Sequence, residues 1–267
     1  MFIIAKFNNW CNKVIMTNDM NLSAKEILDF YILSGVTETC GEKPFCASLP
    51  SSGHPQLSSG LALSSASALQ NAEDVCALAA SIEELKAVMD KFEGCSLKNT
   101  ASHTVVGDGN PQAKIMLIGE APGAEEDLVG KAFVGRSGKL LDKIISSIGL
   151  DRSTVYICNV LPWRPPGNRT PSDAEVAVCL PFLKRQIEIV NPDYILTLGV
   201  AAVNALLGLG ETMSHLRGRW LEYETSTAKK IKVLATYHPA YLLRTPQQKS
   251  KVWADFLKFR KELQKNN

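Results

Sequence analysis

Four short apolar runs punctuate the second part of the chain: AKIMLIG (113–119), TVYICNV (154–160), DYILTLG (193–199) and KVLATYH (232–238). Runs of this length without polar alternation predict strands buried on both faces. The stretches between them change to helical spacing. SIEELKAVMDKFEG (81–94) opens on an S-x-x-E box at Ser81 and Glu84 and stops at a glycine. SGKLLDKIISSIGL (137–150), PSDAEVAVCLPFLKRQIEIV (171–190), VAAVNALLG (200–208) and the basic KSKVWADFLKFRKEL (249–263) read as further helices, with Pro171 near a first helical position. Strands alternating with helices predict an α/β fold, a short, mainly parallel four-stranded sheet covered on both sides.

Ahead of residue 80 the pattern differs. MNLSAKEILDFYILSGV (20–36) reads as a capped amphipathic helix with Ser23 as N-cap and Glu26 as its partner. CASLPSSGHPQLSSGLALSSASALQNA (46–72) has few large apolar groups and no sustained period, which predicts a flexible linker. The expected organisation is an extension with one helix over 1–45, a linker over 46–79 and a folded domain over 80–267. Met16 and Met20 are alternative starts.

The 267 residues are 45% apolar and 21% charged, the composition of an ordinary globular protein. No run approaches the roughly 18 uncharged apolar residues of a membrane span, and MFIIAKFNNW is too short an apolar patch for a secretory signal. The expectations are no membrane partner and a cytoplasmic location. The net charge of +2 hides an asymmetry: residues 1–90 carry five lysines, no arginine and ten acidic residues, while the rest carries 24 basic against 17 acidic. A mildly basic second part suits a polyanion, and equally a solvated surface of mixed sign. Seven cysteines (11, 40, 46, 76, 95, 158 and 179) include no C-x-x-C pair. An odd count argues against a disulfide framework and for reduced thiols, mostly in the core.

In a parallel sheet of this kind ligands bind at the carboxyl ends of the strands. GEAPGAEED (119–127) follows the first run. Gly119 allows close backbone approach, and Glu120 is the first carboxylate beyond the strand. The loop lacks the G-x-x-x-x-G-K-S/T phosphate pattern, and Glu125, Glu126 and Asp127 would repel phosphate; its plain alternative is an acidic turn capping a helix. In GKAFVGRSG (130–138) Phe133 suits either stacking on a base or plugging the core. Asn159, at the end of the second run, has the donor and acceptor needed to read a base edge, and Cys158 points to the opposite face. His238 ends the fourth run, where an imidazole stabilises an oxyanion or serves as an acid. His215 reads as a loop residue, and His54 and His103 lie outside these ends.

Taken together, GEAPGAEED, AFVGRSG, NVLPWRPPGNRTP and TYHPAYLLR closely resemble the family 4 uracil-DNA glycosylases over about residues 91–265. The resemblance implies a three-layer α/β/α sandwich and removal of uracil from DNA by cleavage of its N-glycosidic bond, with the base flipped out of the stack. It implies that Glu120 positions water or stabilises the sugar cation, Phe133 stacks on uracil, Asn159 bonds its N3 and O4 edge, and His238 bonds O2, while Gly119 and Ala121 line the pocket. Leu242 or Leu243, in the segment Ala240–Arg244, would fill the gap left by the base. Arg164, Arg169, Arg217, Arg219 and Arg244 are candidate DNA contacts. The implied partner is uracil-containing DNA, single- or double-stranded, bound by a monomer. No lysine in the four motifs suits Schiff-base chemistry, so strand cleavage is not expected. The alternatives are a wider deaminated-base range (xanthine, hypoxanthine) and a weakly catalytic binding module. No insertion between Phe133 and Leu150 supports the covalent histidine chemistry of a related branch.

The family typically holds an iron–sulfur cluster on four cysteines. Cys95 and Cys179 match two of those positions, whereas Phe92 and Trp163 stand at the other two. Two thiolates fall short of the usual four ligands, so no cofactor is expected unless Cys40, Cys46 or Cys76 substitute. Cys179, at the end of the stiff segment LPWRPPGNRTPSDAEVAVC (161–179), is then a packing residue.

Overall fold

The computed structural model describes residues 59–265. The helix anticipated over 20–36 and His54 lie outside the described residues. The strands are β1 (Gly107–Gly109), β2 (Ile115–Gly119), β3 (Tyr156–Asn159), β4 (Tyr194–Leu198), β5 (Trp220–Glu224) and β6 (Lys230–Thr236), in one sheet of order β1-β3-β2-β4-β6-β5. The four apolar runs are β2, β3, β4 and β6, and they pair in parallel, with Gly119 opposite Asn159 and Ile195 opposite Val233. Every residue of β2, β3 and β4 is buried, as uninterrupted apolar strands require.

The sheet has six strands rather than four because antiparallel strands cover both edges: β1 on β3 and β5 on β6. Gly-Asp-Gly in β1 has no apolar signature, and Trp-Leu-Glu-Tyr-Glu in β5 is only partly covered. Such strands are specified by their neighbours' unpaired edges more than by their own pattern.

Nine α-helices lie among the described residues: α1 (Ser59–Ala77), α2 (Ile82–Lys91), α3 (Ala124–Val129), α4 (Arg136–Ser146), α5 (Asp173–Val190), α6 (Val200–Leu207), α7 (Met213–Leu216), α8 (Pro239–Arg244) and α9 (Lys249–Leu263). Side-chain alternation along the strands divides the core in two. Met116, Ile118, Tyr156, Cys158 and Ile195 pack with Leu85 of α2, Phe182 and Ile187 of α5 and Leu206 of α6. Leu117, Ile157, Leu196 and Leu234 pack with Leu141 and Ile145 of α4 and with Phe256 and Phe259 of α9. The layers are therefore helix, sheet, helix.

Two helix starts follow local chemistry. Ser81 accepts from the Glu84 amide at 3.1 Å and Glu84 accepts from the Ala80 amide at 2.7 Å. Ser172 and Glu175 form a second capping box, so α5 begins at Asp173 and Pro171 stands just before the cap.

Part of the stretch read as linker is helix α1, which packs against α5. Its buried contacts are small: Ala72, Cys76 and, just beyond its end, Ala79, spaced by four and three residues. Arg185 of α5 clamps that end by donating two hydrogen bonds, of 2.8 and 2.7 Å, to the Ala79 carbonyl. Small residues let two helices approach closely, so this helix is held by tertiary contact, and a search for large apolar groups passes over it. His215 lies in the short helix α7 rather than in a loop.

Candidate active site

The carboxyl ends of β2, β3 and β6 surround a cavity of about 430 Å³ lined by Glu120, Phe133, Asn159 and His238. Gly119 does not itself line the cavity but packs behind two of its walls. A Cβ there would lie 2.4 Å from Asn159 Oδ1 and 2.6 Å from Phe133 Cζ, so any other residue would displace both polar and aromatic walls.

Asn159 is buried, and its Oδ1 has no hydrogen-bond partner. A buried amide oxygen is ordinarily satisfied, and leaving it unmade costs about 1–3 kcal/mol. Asn159 lines the cavity beside a ring, and an acceptor without a partner there is what a ligand N–H would complete. The ring is Phe133, whose centroid lies 5.5 Å from that of His238. Phe133 holds its backbone at φ +54°, the left-handed region disfavoured for bulky residues.

His238 lies two residues beyond β6 and caps α8. Its Nδ1 accepts from the Ala240 amide at 3.1 Å, which assigns the proton of a neutral ring to Nε2. Burial, with Arg244 adding to it, lowers the imidazole pKa to about 4. Glu120 moves the other way: burial raises its carboxyl above the ordinary carboxylate range. The site therefore pairs a neutral N–H donor with a carboxylate made more basic by desolvation.

Glu126, which sequence reasoning treated only as a negative charge, is buried and accepts from the Gly123 amide at 3.2 Å and the Gly135 amide at 2.8 Å. It ties the loop bearing Glu120 to the loop bearing Phe133. The signal was the Gly-x-x-Glu spacing of a capping box. Asn168 also lines the cavity, at φ +54°, and accepts from Arg164 Nε at 2.8 Å. Ala121 and Tyr241 also line the cavity.

Arg169 and Arg244 reach the cavity. Arg169 is also bidentate on Glu175, at 2.8 and 2.5 Å, and Arg164 stands 4.0 Å from Asp127. Arg217 and Arg219 do not line the cavity. Arg217 donates to Asp255 at 2.8 Å and to the Lys251 carbonyl at 2.7 Å, 5.7 Å above the Tyr237 ring. Arg219 pairs with Glu211 at 3.2 Å. The candidate wedge pair also separates. Leu242 is 1% exposed in the core against α4 and α9, because a one-turn helix must turn one side inward, whereas Leu243 is 40% exposed. His103 bonds the Asp127 carbonyl through Nδ1, outside the cavity.

On the other side of the sheet, Phe92 and Trp163 stack with centroids 6.2 Å apart and planes at 11°, and both meet Phe182 edge-on. Trp163 is buried and donates from Nε1 to Thr104 at 3.2 Å. Nearby, the Cys179 thiol bonds Cys95 Sγ at 3.9 Å. That bond lowers the Cys95 pKa and, with burial, raises that of Cys179. Among the described residues no three His, Cys, Asp or Glu side chains are grouped to hold a metal. Two thiols and a filled aromatic volume do not fit a four-cysteine cluster.

The uracil-DNA glycosylase superfamily model matches residues 106–258. The chain is 45% identical over 168 residues to a type-4 uracil-DNA glycosylase of Archaeoglobus fulgidus, covering 61% of this chain and 84% of that protein. It is 43% identical over 155 residues to the type-4 uracil-DNA glycosylase of Thermotoga maritima, covering 58% and 79%. A type-5 uracil-DNA glycosylase of Pyrobaculum aerophilum is 31% identical over 150 residues, covering 50% and 64%. With these motifs at the ends of a parallel sheet and these relatives, the chain belongs to the uracil-DNA glycosylase superfamily, among its type-4 members.

Proposed function

We propose that the protein is a monofunctional uracil-DNA glycosylase, which flips uracil out of DNA and hydrolyses its N-glycosidic bond in base-excision repair. The observation that carries the reading is the unpartnered Asn159 Oδ1, buried beside Phe133 and opposite a neutral His238. Uracil stacked on Phe133 offers its N3–H to that oxygen, and the Asn159 amide donates to O4. As the bond from C1′ to N1 breaks, its electron pair leaves with the base and spreads onto O2, where His238 Nε2–H donates to it. Glu120 orients water toward C1′ and takes up its proton as the new C–O bond forms. The pocket offers no observation that favours xanthine or hypoxanthine. Incubation with uracil-containing single- and double-stranded oligonucleotides should release free uracil and leave alkali-labile abasic sites; no product from either substrate refutes the reading.

Leu243 is the exposed apolar side chain on α8, and in this reading it fills the space vacated by the base, with Arg169 and Arg244 near the backbone phosphates. Leu243→Ala is expected to lower excision from duplex DNA by about tenfold, the equivalent of one lost apolar contact and poorer unstacking. Single-stranded DNA, which needs no unpairing, should lose much less; equal losses on both substrates would count against a wedge.

Phe92 and Trp163 are inferred to occupy the volume of two cluster ligands, giving a cluster-free enzyme. The protein purified anaerobically is expected to lack stoichiometric iron and the broad visible absorption of a cluster. A full complement of iron overturns this.

A further inference from the structure

Arg152, in the turn before β3, touches neither the cavity nor any candidate phosphate contact, yet its guanidinium is fully committed. Nη2 donates to the Phe133 carbonyl and Nη1 to the Ala132 carbonyl at 3.0 Å. Nε donates to Asp142 at 2.9 Å, and Nη1 also meets Asp108 at 2.5 Å. Two carboxylates on different elements, α4 and β1, thus fix the plane of the fork, and the fork holds two successive carbonyls. A rigid planar donor set is what allows one side chain to do this.

What it holds is the one aromatic residue among the described residues with a left-handed backbone, Phe133 at φ +54°. The opposite side of that peptide is equally constrained. A Cβ on Gly138 would lie 1.7 Å from the Phe133 carbonyl oxygen and 2.1 Å from its carbonyl carbon. Gly138 leaves space for the carbonyl, Arg152 fixes it there, and the ring is thereby turned over Gly119 into the cavity. Strained backbone persists only where surrounding contacts over-determine it.

We propose that Arg152 is a positioning residue that preforms the stacking face of the pocket by locking the Ala132–Phe133 backbone from behind. The inference rests on the glycosylase reading. It predicts that Arg152 acts on the reaction through the Phe133 ring and not through DNA contact or general stability.

The test is a double-mutant cycle in the full chain. Arg152→Met keeps much of the side-chain stem and removes the fork. With Phe133 present it should reduce kcat/KM on uracil-containing single-stranded DNA by about tenfold and weaken inhibition by free uracil by a similar factor. In a Phe133→Ala background the same change should cost less than about twofold in both measurements, because the ring it positions is gone. Melting temperature is followed in parallel. Asp142→Asn, which leaves the guanidinium but loosens its anchor, should show a smaller effect with the same dependence on Phe133, and it serves if Arg152→Met does not fold. Equal losses in both backgrounds, or unchanged uracil inhibition by Arg152→Met, would overturn the proposal. Failure of the glycosylase reading is distinct, since the wild-type protein would then release no uracil.

Discussion

Glu120→Gln should lose about 10²–10⁴-fold in the rate of uracil excision, the range for a positioned general base, while becoming no less stable. Burial is the cause that raises the Glu120 carboxyl. The folded protein therefore binds this proton more tightly than the unfolded chain does, and ionisation costs stability as pH rises through the folded value. A neutral amide at position 120 removes that cost at pH 7. A large kinetic loss accompanied by an unchanged or higher melting temperature would be the signature of a group kept for chemistry at the expense of stability. Since the base must be ionised to accept a proton from water, the acid limb of the wild-type pH–rate profile should lie above the ordinary carboxylate range and vanish in the variant. His238, with its pKa near 4, stays neutral throughout and should contribute no inflection near pH 6.5. An acid limb at pH 6.5 that disappears on replacing His238 would reverse the two assignments.

His238→Ala should cost about 10²–10³-fold, as the loss of one preorganised donor to a developing oxyanion does elsewhere. This variant confounds two roles, because the same ring caps α8 through Nδ1. Losing the cap alone is worth about 0.5–2 kcal/mol. His238→Asn separates them: its side-chain oxygen can still accept from the Ala240 amide, but the shorter side chain withdraws the donor from the base. Stability should recover in His238→Asn while excision stays low. A better leaving group, 5-fluorouracil, carries more of the negative charge unaided, so His238→Ala should slow its release less than that of uracil. Equal slowing of the two bases would mean that the imidazole does not act on the leaving group.

The parallel centre of the sheet was legible because β2, β3 and β4 are buried on both faces and must be apolar throughout. The strand-end rule then led to Glu120, Asn159 and His238, and the family resemblance to Phe133; the fold gathers all four around one cavity. Edge strands and α1 were not legible in the same way. Glycines, alternating residues and alanines acquire their structure from a neighbouring edge or helix. Glu126 and Asn168 were passed over because their roles depend on amides and side chains brought close only by folding.

By itself the sequence determined the α/β alternation and the motif-bearing loops, since these are local patterns of residue type, and through the family resemblance it marked Phe92 and Trp163 as standing where cysteines are expected. Tertiary structure alone decided which groups lack partners, which arginines are already paired, that Leu243 and not Leu242 meets solvent, and that Arg152 reaches the Phe133 carbonyl from 19 residues away. The physical reason is that desolvation, hydrogen-bond satisfaction and backbone strain belong to the environment a side chain meets after folding, and no property of the isolated residue reports them.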